Sequence, residues 1–418
     1  MRRCFVGLAL LVSLSISLPG SAAESSRDWP AWRGPQRNGC SAETGLLATW
    51  PEGGPRLLWT ATGLGEGFST PSVVGDRIYV MGNREGQELV LSLDAAARGD
   101  AVWAAVLGPI RHDGGGYPGP RSTPTVDGNR VYALGLNGDL LCVDADSGKE
   151  IWRHDLPGEF GGQVGGWGYS ESVLVDGPWV LCTPGGREAT LLALNKTNGK
   201  RVWQSKIGDT ADYSSIIAIE ADGVKQFVQF TKQGVIGVSG KNGQLLWRYD
   251  APANGTANCA TPVFADDSVF AASGYGAGGG LVHLTKKGRK FNAEQVYFTK
   301  EMKNHHGGLV LVDGYLYGSD DPGVLTCLDF KTGEIKWRDR SCGKCSLLYA
   351  DGMLYCRSEQ GLMSLVRATP ERFELAGRFD QPQRSDRSAW PHPVIAGGRL
   401  FLRDQDKLLC YDVQASGT

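Results

Sequence analysis

Short-range spacing gives this chain few places where chemistry could assemble. Cys342-Gly-Lys-Cys345 has the two-residue gap of a redox dithiol, which normally acts from a strand–helix–strand setting. No such pattern surrounds it, so it reads as a local disulfide of an oxidising compartment. His305 and His306 could share zinc with His392 or His112, but neighbours on a strand point to opposite faces. Gly274-Tyr-Gly276-Ala-Gly-Gly279 has dinucleotide-loop spacing, yet Leu281-Val-His-Leu284 continues as a strand. No helix N-terminus follows to hold a pyrophosphate, and the segment reads as a hairpin loop. No Cys-x-x-Cys-His offers a haem attachment. No spacing singles out a Ser–His–Asp set either. A site must therefore be built by the fold from distant residues.

Repetition supplies that fold. Asp144-Ala-Asp-Ser-Gly148-Lys-Glu-Ile-Trp152 recurs as Asn195-Lys-Thr-Asn-Gly199-Lys-Arg-Val-Trp203, and again at Ser239–Trp247 and Asp329–Trp337. The aromatic anchors Trp59, Trp103, Trp152, Trp203, Trp247, Tyr297 and Trp337 are 44, 49, 51, 44, 50 and 40 residues apart. That is the period of a four-stranded propeller blade. Asp127-Gly128 and Asn137-Gly138 between alternating apolar runs are hairpin turns. Units open near Phe68, Ser122, Tyr169, Tyr213, Cys259, His305, Cys345 and Trp390. The last runs out at Val413 with three strands, and Arg56-Leu-Leu-Trp59-Thr supplies the fourth. The expected fold is all-β: an eight-bladed propeller over 56–413, of four-stranded antiparallel blades, closed by an amino-terminal strand.

Cys142, Cys327 and Cys410 share one slot of the repeat with Ser92, Ala193, Gly237 and Ser364, so the slot requires small volume rather than sulfur. His283 breaks the pattern and reads as structural. Aligning the strand openings places Phe68, Arg121, Tyr169, Tyr213, Cys259, His305, Lys344 and Trp390 around the axial mouth. Aromatics, cations and a thiol converging at one end of a rigid scaffold form the candidate binding surface.

The ends carry different signals. Arg2 and Arg3, an apolar run from Phe5 to Leu18 and Ser21-Ala22-Ala23 read as a signal peptide over 1–23. Removing it changes 43 basic residues against 45 acidic to 41 against 45, a net −4, with no footprint for nucleic acid. Nine cysteines then remain of ten, an odd number. No later run is long and apolar enough to span a bilayer. The chain is expected to be exported, periplasmic or extracellular, and monomeric. A Pro/Gly/Trp-rich arm over 24–55, including Asp28-Trp-Pro-Ala-Trp-Arg-Gly, has no strand or helix period and is expected to pin itself to one face. Residues 414–418 form a tail.

The Gly-Lys/Glu-x-x-Trp closings and Ser-Thr-Pro openings resemble the pyrroloquinoline-quinone-like eight-bladed propeller superfamily over nearly all of 56–413. The Trp-Pro-x-Trp-Arg-Gly-Pro arm resembles that of secreted planctomycete-type members. The resemblance implies one of two branches. Quinoprotein dehydrogenases seat the quinone PQQ on calcium, held by a glutamate and an asparagine beside an aspartate base, under a disulfide of adjacent cysteines. Glu171 and Asn258 stand where those ligands would fall, and oxygen donors suit calcium. The sixth opening, Lys303-Asn304-His305-His306, holds no aspartate, and no two cysteines are adjacent. The other branch, BamB-like docking platforms, implies a non-catalytic module for a protein, peptide or envelope component without cofactor. That is the leading expectation, with a PQQ- and calcium-dependent alcohol or sugar dehydrogenase as the alternative.

Overall fold

The computed structural model describes Met1, 27–112 and 115–415. Apart from Met1, the expected signal peptide lies outside the described residues, as do 416–418 of the tail. Among the described residues, thirty-two strands form eight four-stranded antiparallel sheets. Seven sheets use consecutive strands. In the eighth, Val394–Ala396, Arg399–Asp404 and Lys407–Asp412 are completed by Arg56–Ala61. Trp59 pairs with Cys410, and an Arg56–Asp412 ion pair at 2.8 Å marks the end of that seam. The helix Leu156–Phe160 is a single turn after the second blade.

The small slot has a physical cause. Trp103 pairs with Ser92, Trp152 with Cys142, Trp203 with Ala193, Trp247 with Gly237 and Trp337 with Cys327, each beside a bulge in the outer strand. The indole lies over its partner, so the partner must be small; a Cβ on Gly237 would collide with Trp247. In the fifth blade the slot residue is Leu281, opposite the smaller ring of Tyr297, and His283 pairs with Glu294 two places along. His283 therefore does not occupy the slot. The seventh blade has no anchor in its own repeat. Trp50 of the arm packs there on Phe379 and Tyr355, against Gly377.

Five of the anchors also hold the next blade. The turn glycines Gly99, Gly148, Gly199, Gly243 and Gly333 lie against Trp59, Trp103, Trp152, Trp203 and Tyr297 of the preceding blades. Trp103 Nε1 donates to Ala145 O at 2.9 Å and Trp152 Nε1 to Lys196 O at 3.2 Å, both carbonyls of the neighbouring turn. Trp103 and Trp152 thus each contribute apolar area to one blade and a hydrogen bond to another.

The arm does not rest on a face; it enters the axial channel. Trp29 exchanges backbone bonds with Val73 of the first blade, and Val126 N of the second donates to Pro30 O at 2.8 Å. Arg37 donates to Ser172 O and Val173 O at 2.6 and 3.0 Å beside the third blade, and Arg33 to Leu309 O of the sixth. Ser41 N and Tyr349 O join the arm to the seventh at 2.8 Å. Arg33 and Arg37 are buried, and burial pulls both guanidinium groups down to about 10, so they remain charged at neutral pH among carbonyls.

The junctions make a direct prediction. Gly199 has φ +70°, and a Cβ there would stand 2.9 Å from the Trp152 ring; Gly223 has φ +68° and open space. Gly199→Ala should cost about 2–4 kcal/mol, backbone strain plus overpacking, and Gly223→Ala only about 1–2 kcal/mol. Denaturant midpoints compare them, and equal losses would remove the junction contact from the account.

Candidate functional site

Where the eight innermost strands begin, the arm and the strand openings enclose a cavity of about 410 Å³. Seven of the eight expected mouth residues line it: Phe68, Arg121, Tyr213, Cys259, His305, Lys344 and Trp390. Tyr169 does not. Its ring is buried between the second and third blades, under the space left by Gly138, and its hydroxyl donates to Pro184 O at 2.7 Å.

Other lining residues were not evident from the openings. Trp32, carried by the arm, forms part of the wall; its Nε1 donates to Thr261 Oγ1 at 2.9 Å and its ring lies 4.6 Å from that of His392. Tyr117, Trp167 and Tyr275 come from glycine-rich loops, and Glu359 from the turn after Met353–Ser358. The signal missed was that inter-strand turns reach the same end of the ring as the strand openings. The Ser and Thr of the openings stitch neighbouring blades: Thr123 N donates to Ser172 Oγ at 2.8 Å, Ser172 N to Ser215 Oγ at 3.0 Å, and His392 N to Thr70 Oγ1 at 3.0 Å.

The cavity has an aromatic side. Trp390 lies 4.8 Å from both Phe68 and Tyr117, and Trp167 lies 5.6 Å from Tyr213, measured between ring centres. Its polar side is one connected cluster. Glu359 Oε1 accepts from His306 Nε2 and Trp390 Nε1, each at 2.8 Å, with Lys344 Nζ at 3.6 Å. Burial pushes the Glu359 carboxyl up, but those donors and charges outweigh it and hold it at about 2. Lys344 Nζ donates to His305 Nδ1 at 2.9 Å, which leaves that ring's proton on Nε2. Burial, then the His306 and Lys344 charges, push His305 down to about 3, and burial lowers His306.

Arg121 donates to Tyr117 O at 2.7 Å and to Trp167 O; burial lowers it to about 10, leaving it charged. Burial raises the Cys259 thiol well above its ordinary value, so it is no thiolate nucleophile. Among the described residues the lining therefore holds two basic side chains, Arg121 and Lys344, and one carboxylate, Glu359, and Lys344 Nζ also lies 3.5 Å from Asp321 Oδ1.

The residues do not suit a quinone-bearing calcium ion. Glu171 and Asn258 both lie outside the cavity lining and are buried in the framework. Glu171 accepts from Thr183 N at 2.6 Å, Thr183 Oγ1 at 3.1 Å and Gln229 Nε2 at 3.3 Å. Asn258 Nδ2 donates to Thr231 O at 3.1 Å while its Oδ1 accepts from Asn254 N at 3.0 Å. Among the described residues no three His, Cys, Asp or Glu side chains are grouped to hold a metal. His305, His306 and His392 all line the cavity, yet they form no such group. The Gly274–Gly279 segment is the loop of a hairpin between Ser268–Ser273 and Gly278–Lys287, as its sequence indicates. Cys342 and Cys345 are both free thiols. No helix among the described residues is long and apolar enough to cross a membrane.

Known proteins match this geometry in fold. A quinoprotein alcohol dehydrogenase, PedH of Pseudomonas putida, is 28% identical over 184 residues, 42% of this chain and 29% of that protein. The outer membrane protein assembly factor BamB of Yersinia pestis is 27% identical over 228 residues, 51% of this chain and 55% of that one. The chain thus spans well under two thirds of either relative's length. The crystal structure of BamB from Moraxella catarrhalis superposes with a TM-score of 0.61 at 14% identity, covering 87% of this chain and 98% of that one. The family described as outer membrane protein assembly factor BamB matches residues 87–339 and 288–372. Those residues are more than half of the chain, and it belongs to that family.

Proposed function

We propose that this chain is an exported, non-catalytic binding propeller whose axial cavity takes an acidic, aromatic-bearing segment of a protein or peptide partner. One observation carries the reading: Arg121 and Lys344 line a cavity walled by Trp390, Phe68 and Tyr117, whose one carboxylate among the described residues, Glu359, already accepts from His306 and Trp390. A ligand carboxylate gains two charge-assisted partners there, and a ligand ring gains stacking area. The relatives titled as assembly factors support a docking role, and the relative titled as a dehydrogenase keeps the alternative in view. Against that alternative, Glu171 and Asn258 are consumed by backbone and side-chain bonds of the framework.

Three outcomes follow. A labelled hexapeptide of alternating glutamate and phenylalanine should bind the protein, and Arg121→Gln with Lys344→Gln should weaken it more than about tenfold, two charge-assisted hydrogen bonds being lost. Fluorescence anisotropy reads this; equal affinity for the glutamine–phenylalanine peptide would refute the electrostatic part. Soaking the protein with PQQ and calcium should give no dye reduction with primary alcohols. Activity that disappears in Glu171→Ala would instead establish the dehydrogenase.

The third outcome concerns pH. Burial raises the Glu171 carboxyl from its ordinary 4.5 to about 8, against opposing bonds from Thr183. The folded chain keeps a proton that the unfolded chain releases, so its contribution is full below about 4.5 and is lost as pH rises through about 8. Glu171→Gln should remove that loss, its advantage in unfolding midpoint over the unsubstituted protein growing across this window. A constant difference would contradict the buried-proton account.

A further inference from the structure

The fifth blade departs from its neighbours in the link between its third and fourth strands. Beyond the residue under the anchor, the ladder runs one more rung in the second, third, fourth and sixth blades, as in Val143 with Glu150. In the fifth it runs six, from Val282 with Gln295 to Lys287 with Lys290. Leu284 N still donates to Asp267 O at 2.8 Å, in the turn after the innermost strand Val263–Ala265. The three rungs past Leu284 carry the hairpin about 10 Å further. Phe291 is buried in one core with Ala221 and Leu284, and Asp222 Oδ2 accepts from Lys286 N at 3.3 Å. Both contacts brace the hairpin against the fourth blade.

The tip so held reads Lys286-Lys-Gly-Arg-Lys290. All four basic residues are exposed, and among the described residues none of their side chains has an ion pair or a hydrogen bond. By contrast, Lys331 is paired with Asp266 at 2.9 Å. Lys287 and Lys290 stand opposite each other in the ladder, and like charges so placed weaken a sheet. The fold gains nothing from them, in a chain whose net charge is −2.

The shape of the tip selects among anionic partners. A specific protein interface has an apolar or aromatic centre inside a polar rim, and the apolar residues here, Leu284 and Phe291, are both buried. Gly288 has open space around it, so the cations stand on a projecting end rather than around a pocket. A plane of headgroup phosphates needs only positive charge brought close to it. We propose that the fifth-blade hairpin docks the chain on a bilayer surface of anionic phospholipid through Lys286, Lys287, Arg289 and Lys290. The tip stands beside Asp222 and Asp267, where innermost strands end, whereas the cavity lies where they begin. Docking therefore leaves the cavity at the end of the ring away from the lipid, and it does not depend on what the cavity binds.

Vesicle flotation tests the assignment. The folded chain should float with vesicles of phosphatidylcholine containing about one third phosphatidylglycerol, and not with phosphatidylcholine alone. Salt at about 0.5 M should release it. Each charge removed should weaken partition about fivefold, so Lys287→Gln with Arg289→Gln loses about 25-fold. Neutralising all four tip residues to glutamine should abolish flotation. A second fourfold variant, Arg98→Gln, Lys149→Gln, Arg187→Gln and Arg372→Gln, removes as many charges from exposed residues of other blades and should float like the parent. The tip variant should unfold at a midpoint no lower than the parent's, since the Lys287–Lys290 repulsion is gone. No flotation of the parent, equal loss in the two fourfold variants, or a lowered midpoint in the tip variant would each overturn the proposal. So would soluble polyglutamate bound more tightly per charge than the vesicles and lost in the tip variant, which would assign an acidic protein instead.

Discussion

An indole held between two blades is the contact on which the rest of this molecule depends. Each tryptophan anchor has a small residue beneath it in its own sheet, such as Cys142 under Trp152, and five anchors have a turn from the next sheet against them, such as that of Gly199. That turn glycine has a left-handed φ of +70°, open to glycine at little steric cost and strained for other residues. No blade can therefore bury its own tryptophan completely, and stability accrues only as neighbours add, as in other repeat architectures. The strand Arg56–Ala61 closes this chain of dependence twice. It completes the eighth sheet, and its Trp59 is the ring against which Gly99 of the first blade rests.

That rigidity allows a cavity to be assembled from residues with no sequence proximity. Arg121 and Lys344 come from openings five blades apart, Glu359 from a turn and Trp32 from the arm. The arm brings Trp32 into the wall of that cavity. Its two buried arginines replace solvent as hydrogen-bond donors to carbonyls of the inner strands. Among the described lining residues the charged groups are then Arg121, Lys344 and the carboxylate of Glu359, with Asp321 beside Lys344.

The architecture was legible because it is written periodically. The Asp-x-x-x-Gly turns and the tryptophan spacing set both the number of blades and the closing strand, and the slot of small residues was visible before its cause. The anchor contacts explain that slot, and they also show why His283 was misplaced. A bulge and a long hairpin in the fifth blade shift the alignment, so that Leu281 is the residue under the ring. Seven mouth residues were legible for the same reason. Tyr169 was not, since position in the repeat does not say which way a ring turns when a glycine next to it leaves room. The arm carries no period, so nothing in its composition distinguishes lying on a face from entering the axis. Glu171 and Asn258 occupied suitable sequence positions, but their hydrogen bonds are settled by neighbouring strands rather than by spacing.

The closing seam joins residues 356 positions apart, Arg56 and Asp412. Such a long separation carries a large loop-closure entropy and a slow search. Until Lys407–Asp412 is available, the earliest segment of the ring has no ladder partner, and the plug that follows the axis has no finished wall to enter. The first blades must wait as unsealed edges while the chain is completed. A protein built this way is exposed to mispairing during its own assembly, and its native state is reached only when its two ends meet.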